Sequence, residues 1–291
     1  MLRGSIVALV TPMLADGAVD WEALEALVEW HIAEGTHGIV PMGTTGESAT
    51  LDTAEHLEVI GRTVKVVGGR VPVVAGTGSN STSEAIHQTL EATRLGADAC
   101  LLVTPYYNRP TQEGLYRHYK AIAEATDVPL LLYNVPPRTG CDLQAETVAR
   151  LAPLDAIVGI KEACGDPDRV KAILDLVPED FLVLSGEDAL TLRMMELGAL
   201  GTISVTANVL PHMMSEFCGS FLDGDLQRAQ ELDAQMQPIH EILFIESSPA
   251  PTKWALYEMG RIDRGIRLPL VELSENHRPE LRSRLQKLGV L

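Results

Sequence analysis

Lys161 is the residue of this chain whose type and position point most clearly to catalytic chemistry. It directly follows the apolar run 156–160, whereas the other five lysines fall in amphipathic or helical segments. In a strand, Lys161 shares one face with Ile157 and Gly159, and desolvation on a core-facing side lowers the pKa of an ammonium group. The resulting neutral amine can form a Schiff base with a carbonyl substrate. The simpler interpretation of this residue alone is a strand-end lysine that reaches solvent or pairs with Glu162.

Two hydroxyl groups could move protons for such an amine. Tyr133 lies in another apolar run, 130–134, and a phenol beside Lys161 could transfer protons during formation and hydrolysis of the imine. Thr44 carries a hydroxyl that both donates and accepts, which suits a relay to Tyr133. Taken singly, Tyr133 is equally consistent with a hydrogen-bonded core tyrosine, and Thr44 with a turn residue in a glycine-rich loop.

Two groups could bind carboxylates near this amine. The segment 43–46, Gly-Thr-Thr-Gly, offers consecutive backbone N–H groups and hydroxyls. Arg138 follows the Pro136-Pro137 turn and carries a fixed fork of donors that matches a carboxylate, although it is equally consistent with a surface arginine. Together with Lys161, these residues describe a pocket for a small 2-oxo acid with a second anionic reactant beside it.

Composition and charge restrict the partners. The 291 residues are 46% apolar and 22% charged, as in an ordinary globular protein, and the net charge of −17 argues against a nucleic acid or an anionic membrane as partner. The four cysteines lie far apart with no CxxC spacing, so we expect no structural zinc site. Neither a leader sequence nor an apolar run of about 18 residues is visible. We therefore expect a soluble cytoplasmic protein with free thiols.

Eight short apolar runs, each followed by a longer amphipathic stretch, must position these groups. They are residues 5–10, 38–42, 71–75, 100–104, 130–134, 157–161, 182–185 and 202–206. Helix signals lie between them, namely the period of residues 20–34, a capping box at Ser81 and Glu84, and the Asp166-Pro167 start. From residue 226 onward the pattern predicts only helices, at 226–236, 239–245 and 251–259.

Eight strands that alternate with helices predict an α/β protein, either an open doubly wound sheet or a closed barrel. A dinucleotide-binding sheet should carry GxGxxG after a strand, but the segment 76–81 lacks the third glycine. We therefore predict a (β/α)8 TIM barrel over residues 1–224 and a small C-terminal helical domain over residues 225–291. In such barrels the site lies at the C-terminal ends of the strands, where Thr44, Tyr133 and Lys161 fall.

Three motifs in order resemble those of a known family. Residues 43–47 (GTTGE), 133–140 (YNVPPRTG) and 159–163 (GIKEA) look like the signatures of the class I pyruvate aldolase superfamily and, within it, of the 4-hydroxy-tetrahydrodipicolinate synthase family. The resemblance extends over the whole chain, including the Tyr106-Tyr107 pair. It implies a lyase of lysine and diaminopimelate biosynthesis, in which pyruvate forms an imine with Lys161 and the derived enamine attacks L-aspartate 4-semialdehyde. It implies neither a metal nor an organic cofactor.

The resemblance also implies roles for the site residues. Tyr133 would exchange protons through Thr44 and Tyr107, and Tyr107 would come from a neighbouring subunit of a homotetramer built as a dimer of dimers. Arg138 would bind the carboxylate of the semialdehyde. The residues implied to contact pyruvate are Thr45, Gly186 and Ile203.

Feedback inhibition by lysine is a further property that the resemblance implies. The residues at the inhibitor site would be Ser48, Ala49, His56, Asn80, Glu84 and Tyr106. Glu84 would balance the α-amino group of lysine, and its alternative role is in the capping box. Relatives that respond strongly often have a histidine where this chain has Thr53, so we expect weak to moderate inhibition.

Three other functions are compatible with parts of this pattern. A sister aldolase for N-acetylneuraminate or a 2-keto-3-deoxy sugar acid would share the barrel and Lys161, but the arginine after the Pro-Pro turn favours the synthase. A non-catalytic 2-oxo acid binder would not need both Tyr133 and Thr44. A phosphate-handling isomerase would carry several glycines after the last two strands, and the two acids that follow the seventh strand would repel phosphate.

Overall fold

Eight parallel strands form the centre of the computed structural model, which describes residues 2–291. The strands are β1 (Gly4–Ala8), β2 (Gly38–Val40), β3 (Val74–Gly76), β4 (Ala99–Val103), β5 (Leu130–Asn134), β6 (Ile157–Glu162), β7 (Leu182–Ser185) and β8 (Gly201–Ser204). Their order in the sheet is β2-β1-β8-β7-β6-β5-β4-β3. A parallel bridge between Ile39 and Val73 joins the two ends of this order, so the sheet closes into a barrel. The predicted (β/α)8 barrel is confirmed.

Helices surround the barrel and make up the end of the chain. They are α1 (Trp21–Ala33), α2 (Thr53–Val67), α3 (Thr82–Arg94), α4 (Gln112–Ala123), α5 (Pro136–Thr139), α6 (Ala145–Leu151), α7 (Asp168–Leu174), α8 (Thr191–Glu196), α9 (Pro211–Leu222), α10 (Leu226–Ile242), α11 (Ala250–Glu258) and α12 (Arg278–Lys287). The turn between α9 and α10 contains residue 224, where we predict the end of the barrel domain. None of the helices within residues 2–291 is both long and apolar enough to cross a bilayer.

Alternation along the strands divides the apolar residues into two sets. The inner set fills the barrel and is mostly aliphatic, with Ile6, Val40, Leu131 and Ile203 among its members. The larger outer set packs the strands against the helices. Because successive strand side chains point to opposite sides, strands such as β5 and β7 contribute to both sets. This alternation decides which polar residues at the strand ends face the barrel interior.

The end of β8 differs from the predicted strand for a reason that the structure shows. The pattern predicts a strand over 202–206, but β8 ends at Ser204 and residues 206–208 form a 3₁₀ turn. The cause is the carboxylate of Asp188, which accepts hydrogen bonds from the backbone N–H groups of Val205 and Thr206 at 2.9 and 2.7 Å. These N–H groups therefore bind a side chain and do not extend the ladder.

Two helix predictions are wrong in detail. Ser81 does cap α3, but the Glu84 side chain accepts a hydrogen bond from the hydroxyl of Ser79 at 2.7 Å and does not return to the Ser81 backbone. The predicted helices 226–236 and 239–245 form the single helix α10 through Pro238. Its buried face continues on both sides of this proline, and packing of that face outweighs the one helical hydrogen bond that a proline removes.

Candidate active site

Lys161 and Tyr133 lie side by side in the barrel interior. The parallel register of β5 and β6 pairs Tyr133 with Lys161, so the two side chains share the inner face. They are only 7% and 5% exposed. The Nζ atom of Lys161 lies 4.3 Å from the centre of the Tyr133 ring. The amine is therefore held against an aromatic face and away from bulk solvent.

Burial shifts the pKa values of both groups. It lowers the pKa of Lys161 from 10.5 to about 8, an effect that the charges of Asp188 and Glu187 oppose and that of Arg138 reinforces. It raises the pKa of Tyr133 from 10.0 to about 12. At neutral pH the phenol is thus a proton donor, and a useful fraction of the amine is neutral.

Lys161 has no carboxylate partner in direct contact. Within residues 2–291, the lysines that form ion pairs are Lys120, Lys171 and Lys253. Glu162, the neighbour that could have paired with Lys161, lies on the other face of β6 and accepts hydrogen bonds from the side-chain amide of Asn134 at 3.0 and 3.2 Å. The simpler interpretation of Lys161 as a solvated or Glu162-paired lysine is therefore wrong.

Two glycines define the space around Lys161. A Cβ atom on Gly186 would lie 2.8 Å from Cε of Lys161 and 2.8 Å from Cβ of Ala163, so any side chain there would displace the lysine. A Cβ atom on Gly159 would lie 2.4 Å from the carbonyl oxygen of Leu182, so this glycine lets β7 approach β6 closely. Gly186 is thus part of the lysine pocket, and Gly159 serves the packing of the barrel.

The turn after β2 brings the predicted carboxylate cradle to the same end of the barrel. Residues Thr44–Gly46 form one turn of 3₁₀ helix, and the hydroxyl of Thr11 donates to the carbonyl of Gly46 at 2.7 Å. Thr45 is buried, and a hydrogen bond from the Thr44 side chain favours the ionised form of Tyr133 and so lowers its pKa slightly. The predicted contact residue Ile203 is fully buried in β8, within the inner apolar set.

Arg138 and Tyr107 lie at the mouth of the barrel. Arg138, in the short helix α5, lines a cavity there, and it forms no ion pair with any residue in 2–291. Tyr107 is 89% exposed and has a positive φ of 70°. In the single chain the Tyr107 side chain therefore points to solvent, and the structure does not bring it to Tyr133.

One cavity of about 360 Å³ is lined both by predicted active-site residues and by residues of the predicted inhibitor site. Thr44 and Arg138 line it on the side of the barrel mouth. The other lining residues include Ser48, Ala49, Thr53, His56, Glu84 and Tyr106. Asn80 lies next to this set, because its side-chain amide donates to the carbonyl of Tyr106 at 3.3 Å.

His56 presents a neutral ring to this cavity. Its Nε2 atom donates to the carbonyl of Gly76 at 2.8 Å, and burial lowers the pKa of the ring although the charge of Glu84 opposes the shift. The second nitrogen, Nδ1, is then an acceptor. With the Glu84 carboxylate nearby, this part of the cavity offers an acceptor and a negative charge to a ligand that carries an ammonium group.

Comparison with known proteins identifies the family. The model of the dihydrodipicolinate synthetase family matches residues 1–288. This chain belongs to that family. It is 57% identical over 291 residues to the 4-hydroxy-tetrahydrodipicolinate synthase of Alcanivorax borkumensis, covering 100% of this chain and 99% of the relative.

Solved structures of the family superpose on the whole chain. One is the chloride-inhibited dihydrodipicolinate synthase of Acinetobacter baumannii complexed with pyruvate, with 56% identity, a TM-score of 0.98 and 100% of both chains covered. Another is the enzyme of Cyanidioschyzon merolae with lysine bound, with 38% identity, a TM-score of 0.95 and 99% of both chains covered. The fold of this chain is thus the family fold over its full length.

The sequence alone did not show that Asp188 and Glu187 influence the pKa of Lys161. Both lie just after β7, beyond Gly186, and their charges raise the pKa of Lys161 against the effect of burial. The signal was present, because acids at the C-terminal end of a barrel strand face the site. We interpreted them only as a reason to exclude phosphate.

The cysteines close to the motifs are thiols. All four cysteines are free. Cys164 lies beside Glu162, and burial together with that acid raises the pKa of the thiol to about 12. Cys141 donates from its sulfur to the carbonyl of Pro105 at 3.2 Å. Neither cysteine is among the groups whose charges shift the pKa of Lys161.

Proposed function

We propose that this chain catalyses the condensation of pyruvate with L-aspartate 4-semialdehyde to 4-hydroxy-tetrahydrodipicolinate, on the route to diaminopimelate and lysine. The observation that carries the proposal is the buried, unpaired amine of Lys161 beside the phenol of Tyr133. Family membership over residues 1–288 supports the choice of substrates. A (β/α)8 barrel alone would leave the reaction open.

The first half of the reaction activates pyruvate. The neutral amine of Lys161 attacks the ketone carbon, and the phenol of Tyr133 donates the proton with which the carbinolamine loses water. The imine that remains is an electron sink, so the methyl group loses a proton to the phenolate of Tyr133 and an enamine forms. Tyr133 is protonated at neutral pH because its pKa is about 12, which suits this donor role.

The second half forms the ring. The enamine carbon attacks the aldehyde of the semialdehyde and gives a new C–C bond and a hydroxyl group. The amino group of the semialdehyde then attacks the imine carbon, closes the ring and releases the amine of Lys161. One molecule of water leaves in the whole sequence, at imine formation, and Lys161 is regenerated.

Two carboxylate sites orient the reactants. We assign the pyruvate carboxylate to the turn that contains Thr44 and Thr45, with Gly186 leaving room beside the lysine and Ile203 forming the wall. We assign the carboxylate of the semialdehyde to Arg138, whose guanidinium has no acidic partner within residues 2–291. A free guanidinium at the mouth of a pocket suits bidentate binding of a carboxylate.

We also infer an oligomer, from Tyr107. Its side chain is 89% exposed, and its positive φ of 70° is a strained conformation for a tyrosine. Such strain persists where a function requires it, so we assign Tyr107 to the proton relay of a neighbouring subunit within a homotetramer. Within each subunit, residues 1–224 would form the catalytic barrel and residues 225–291 the helical domain. The four free thiols favour the reducing cytoplasm as the location.

Lysine is the ligand that we propose for the cavity lined by Ser48, His56 and Glu84. Glu84 would neutralise an ammonium group and His56 would accept a hydrogen bond from it, in agreement with the lysine that is bound in the Cyanidioschyzon merolae relative. Thr53, which also lines the cavity, has a shorter side chain than the histidine that strongly responding relatives often have there, so we expect weak to moderate inhibition. An unchanged rate at millimolar lysine would reject this assignment.

A steady-state assay with both substrates tests the proposed reaction. Pyruvate consumption should depend on L-aspartate 4-semialdehyde, and borohydride reduction with pyruvate alone should leave an adduct on Lys161. Cleavage of N-acetylneuraminate or a 2-keto-3-deoxy sugar acid, with no condensation, would identify a sister aldolase instead. Absence of the adduct would favour a non-catalytic binder.

A further inference from the structure

An ion pair buried in the protein joins two segments that are 206 residues apart. Lys253 in α11 donates from Nζ to Oε1 of Glu47, and the two side chains are 3% and 0% exposed. The other carboxylate oxygen of Glu47 accepts a hydrogen bond from the backbone N–H of Arg267 at 3.0 Å. The C-terminal region therefore satisfies both oxygens of a carboxylate that belongs to the turn after β2.

Arg267 binds the same part of the chain with its side chain. Its guanidinium pairs with both carboxylate oxygens of Glu55 at 2.7 Å and donates to the carbonyl of Thr50 at 3.0 Å. Its Nε atom donates to the carbonyl of Gly17 at 2.8 Å. Lys253 and Arg267 thus hold the segment 47–55 at its beginning, middle and end.

The position of Glu47 explains why this anchoring affects the site. Glu47 ends the 3₁₀ turn Thr44–Gly46, and its backbone N–H donates to the carbonyl of Thr44 at 3.1 Å. Its φ of 58° is a left-handed conformation that a glutamate rarely adopts. Such a conformation persists where surrounding contacts determine it, and here these are the bonds to Lys253 and Arg267.

We propose that Lys253 is a positioning residue for pyruvate binding, acting through Glu47 on the turn that carries Thr44 and Thr45. The inference rests on the proposed function, which assigns the pyruvate carboxylate to this turn. Lys253 itself does not touch the substrate. Stability alone does not call for the ion pair, because well-packed apolar residues can replace a buried pair without loss. The pair adds a fixed direction for the Glu47 side chain and hence for the turn.

The double variant Glu47→Gln/Lys253→Met separates positioning from stability. It removes both charges at nearly unchanged volume, so no buried charge is left unpaired and the protein should fold and melt like the unmodified chain. The KM for pyruvate should rise between about 10-fold and 100-fold, the effect expected when a binding group moves by up to about 1 Å. The KM for the semialdehyde should stay within about twofold, because Arg138 lies in α5, which follows a different strand from the turn Thr44–Gly46.

Two further variants complete the test. Arg282→Met breaks the ion pair between Arg282 and Glu258, which lies in the same helix as Lys253, and both KM values should stay unchanged. Glu47→Asp keeps both charges of the buried pair but shortens the side chain by one methylene group, so the turn must shift to keep its bonds to Lys253 and Arg267, and the KM for pyruvate should rise several-fold. This single variant serves if the double variant does not fold.

Borohydride trapping of pyruvate on Lys161 distinguishes failure of this inference from failure of the proposed function. The pyruvate concentration that gives half-maximal trapping should rise in the Glu47 variants in parallel with KM. If the unmodified protein traps no pyruvate, the proposed function fails, and this inference fails with it. If the unmodified protein traps pyruvate and the folded variants trap it at the same concentration, the inference alone is wrong. It is also wrong if both KM values rise equally, or if Arg282→Met raises the KM for pyruvate as much.

Discussion

Two lysines of this protein are almost equally buried, but only one of them contacts a carboxylate. Lys161 is 5% exposed and Lys253 is 3% exposed, and burial lowers the pKa of both. Lys253 contacts the carboxylate of Glu47, whose negative charge opposes the lowering of its pKa. Lys161 contacts the ring of Tyr133 and no carboxylate. The two lysines therefore differ in their contacts and not in their burial, and the proposed nucleophile is the one without a carboxylate in contact.

The acids near Lys161 act at a distance. Asp188 and Glu187 raise its pKa by their charge, and Asp188 uses one oxygen to bind the backbone of the β8 turn. Without any negative charge, burial would favour the neutral amine still more strongly. The pocket thus balances burial against two acids that do not touch the amine, and the balance holds the pKa near 8. A carboxylate in direct contact with Lys161, like the one beside Lys253, would raise the pKa of Lys161 further.

The largest expected effect follows from replacing Lys161. Lys161→Met should lower the condensation rate by at least about 10⁵-fold, because no imine can form. Its free energy of unfolding should stay the same or rise, since the variant removes a buried amine that has no carboxylate partner. Lys171→Met, which removes an exposed, ion-paired lysine, should leave both properties unchanged. A Lys161→Met rate within tenfold of the unmodified rate would contradict the account.

The next effect concerns the aromatic neighbour of Lys161. Tyr133→Phe should slow the condensation by about 10²–10⁴-fold, the usual loss for a general acid–base group, while borohydride still traps pyruvate on Lys161. Tyr119→Phe is the matched control, because Tyr119 is also fully buried but donates to the carbonyl of Leu102 at 3.2 Å. That control should lower stability and leave the rate unchanged. A fully active Tyr133→Phe enzyme would show that the proton relay is wrongly assigned.

Lys253→Met should behave in the opposite way to Lys161→Met. It leaves the Glu47 carboxylate buried beside a methionine, so the free energy of unfolding should fall by about 3–5 kcal/mol. Urea unfolding of the two single variants, measured side by side, tests the contrast directly. Equal stability of the two variants would mean that the Lys253 ion pair is not what distinguishes the two lysines.

Glu162 gives a smaller effect, on stability against pH. Burial raises the pKa of Glu162 from 4.5 to about 7, so the folded protein holds a proton that the unfolded chain releases at lower pH. Stability should therefore fall as the pH rises from about 4.5 to about 7, by on the order of 3 kcal/mol. Glu162→Gln should remove this decline, as followed by urea unfolding at several pH values. A decline that persists in the variant would show that Glu162 does not cause it.

The sequence predicts the barrel and the positions of the chemical groups because both depend on local patterns. Apolar runs mark the strands, and Thr44, Tyr133 and Lys161 follow from the rule that function lies at strand ends. The runs 130–134 and 182–185 coincide with β5 and β7. The end of β8 is misplaced because the Asp188 carboxylate binds its backbone, a contact between residues 17 and 18 positions apart that no local pattern indicates.

The two lysines show the same limit of local patterns. Lys161 is visible because it interrupts an apolar strand. Lys253 lies in α11, where every residue from Ala250 to Leu256 is buried, and a lysine in a predicted helix is ordinarily taken as exposed. Its partner is more than 200 positions away, so only the folded chain shows the ion pair. The partners of Tyr107 are not visible even in the folded single chain, where its side chain lies in solvent.

The pH dependence of imine formation at Lys161 tests the central claim most directly. The protein is mixed with pyruvate at a series of pH values and quenched into borohydride at one fixed pH, and the adduct is located by peptide mass spectrometry. The rate of adduct formation should rise with pH and reach half of its maximum near pH 8, with the adduct on Lys161. A midpoint at the ordinary lysine pKa of about 10.4, or an adduct on Lys253, would contradict the account.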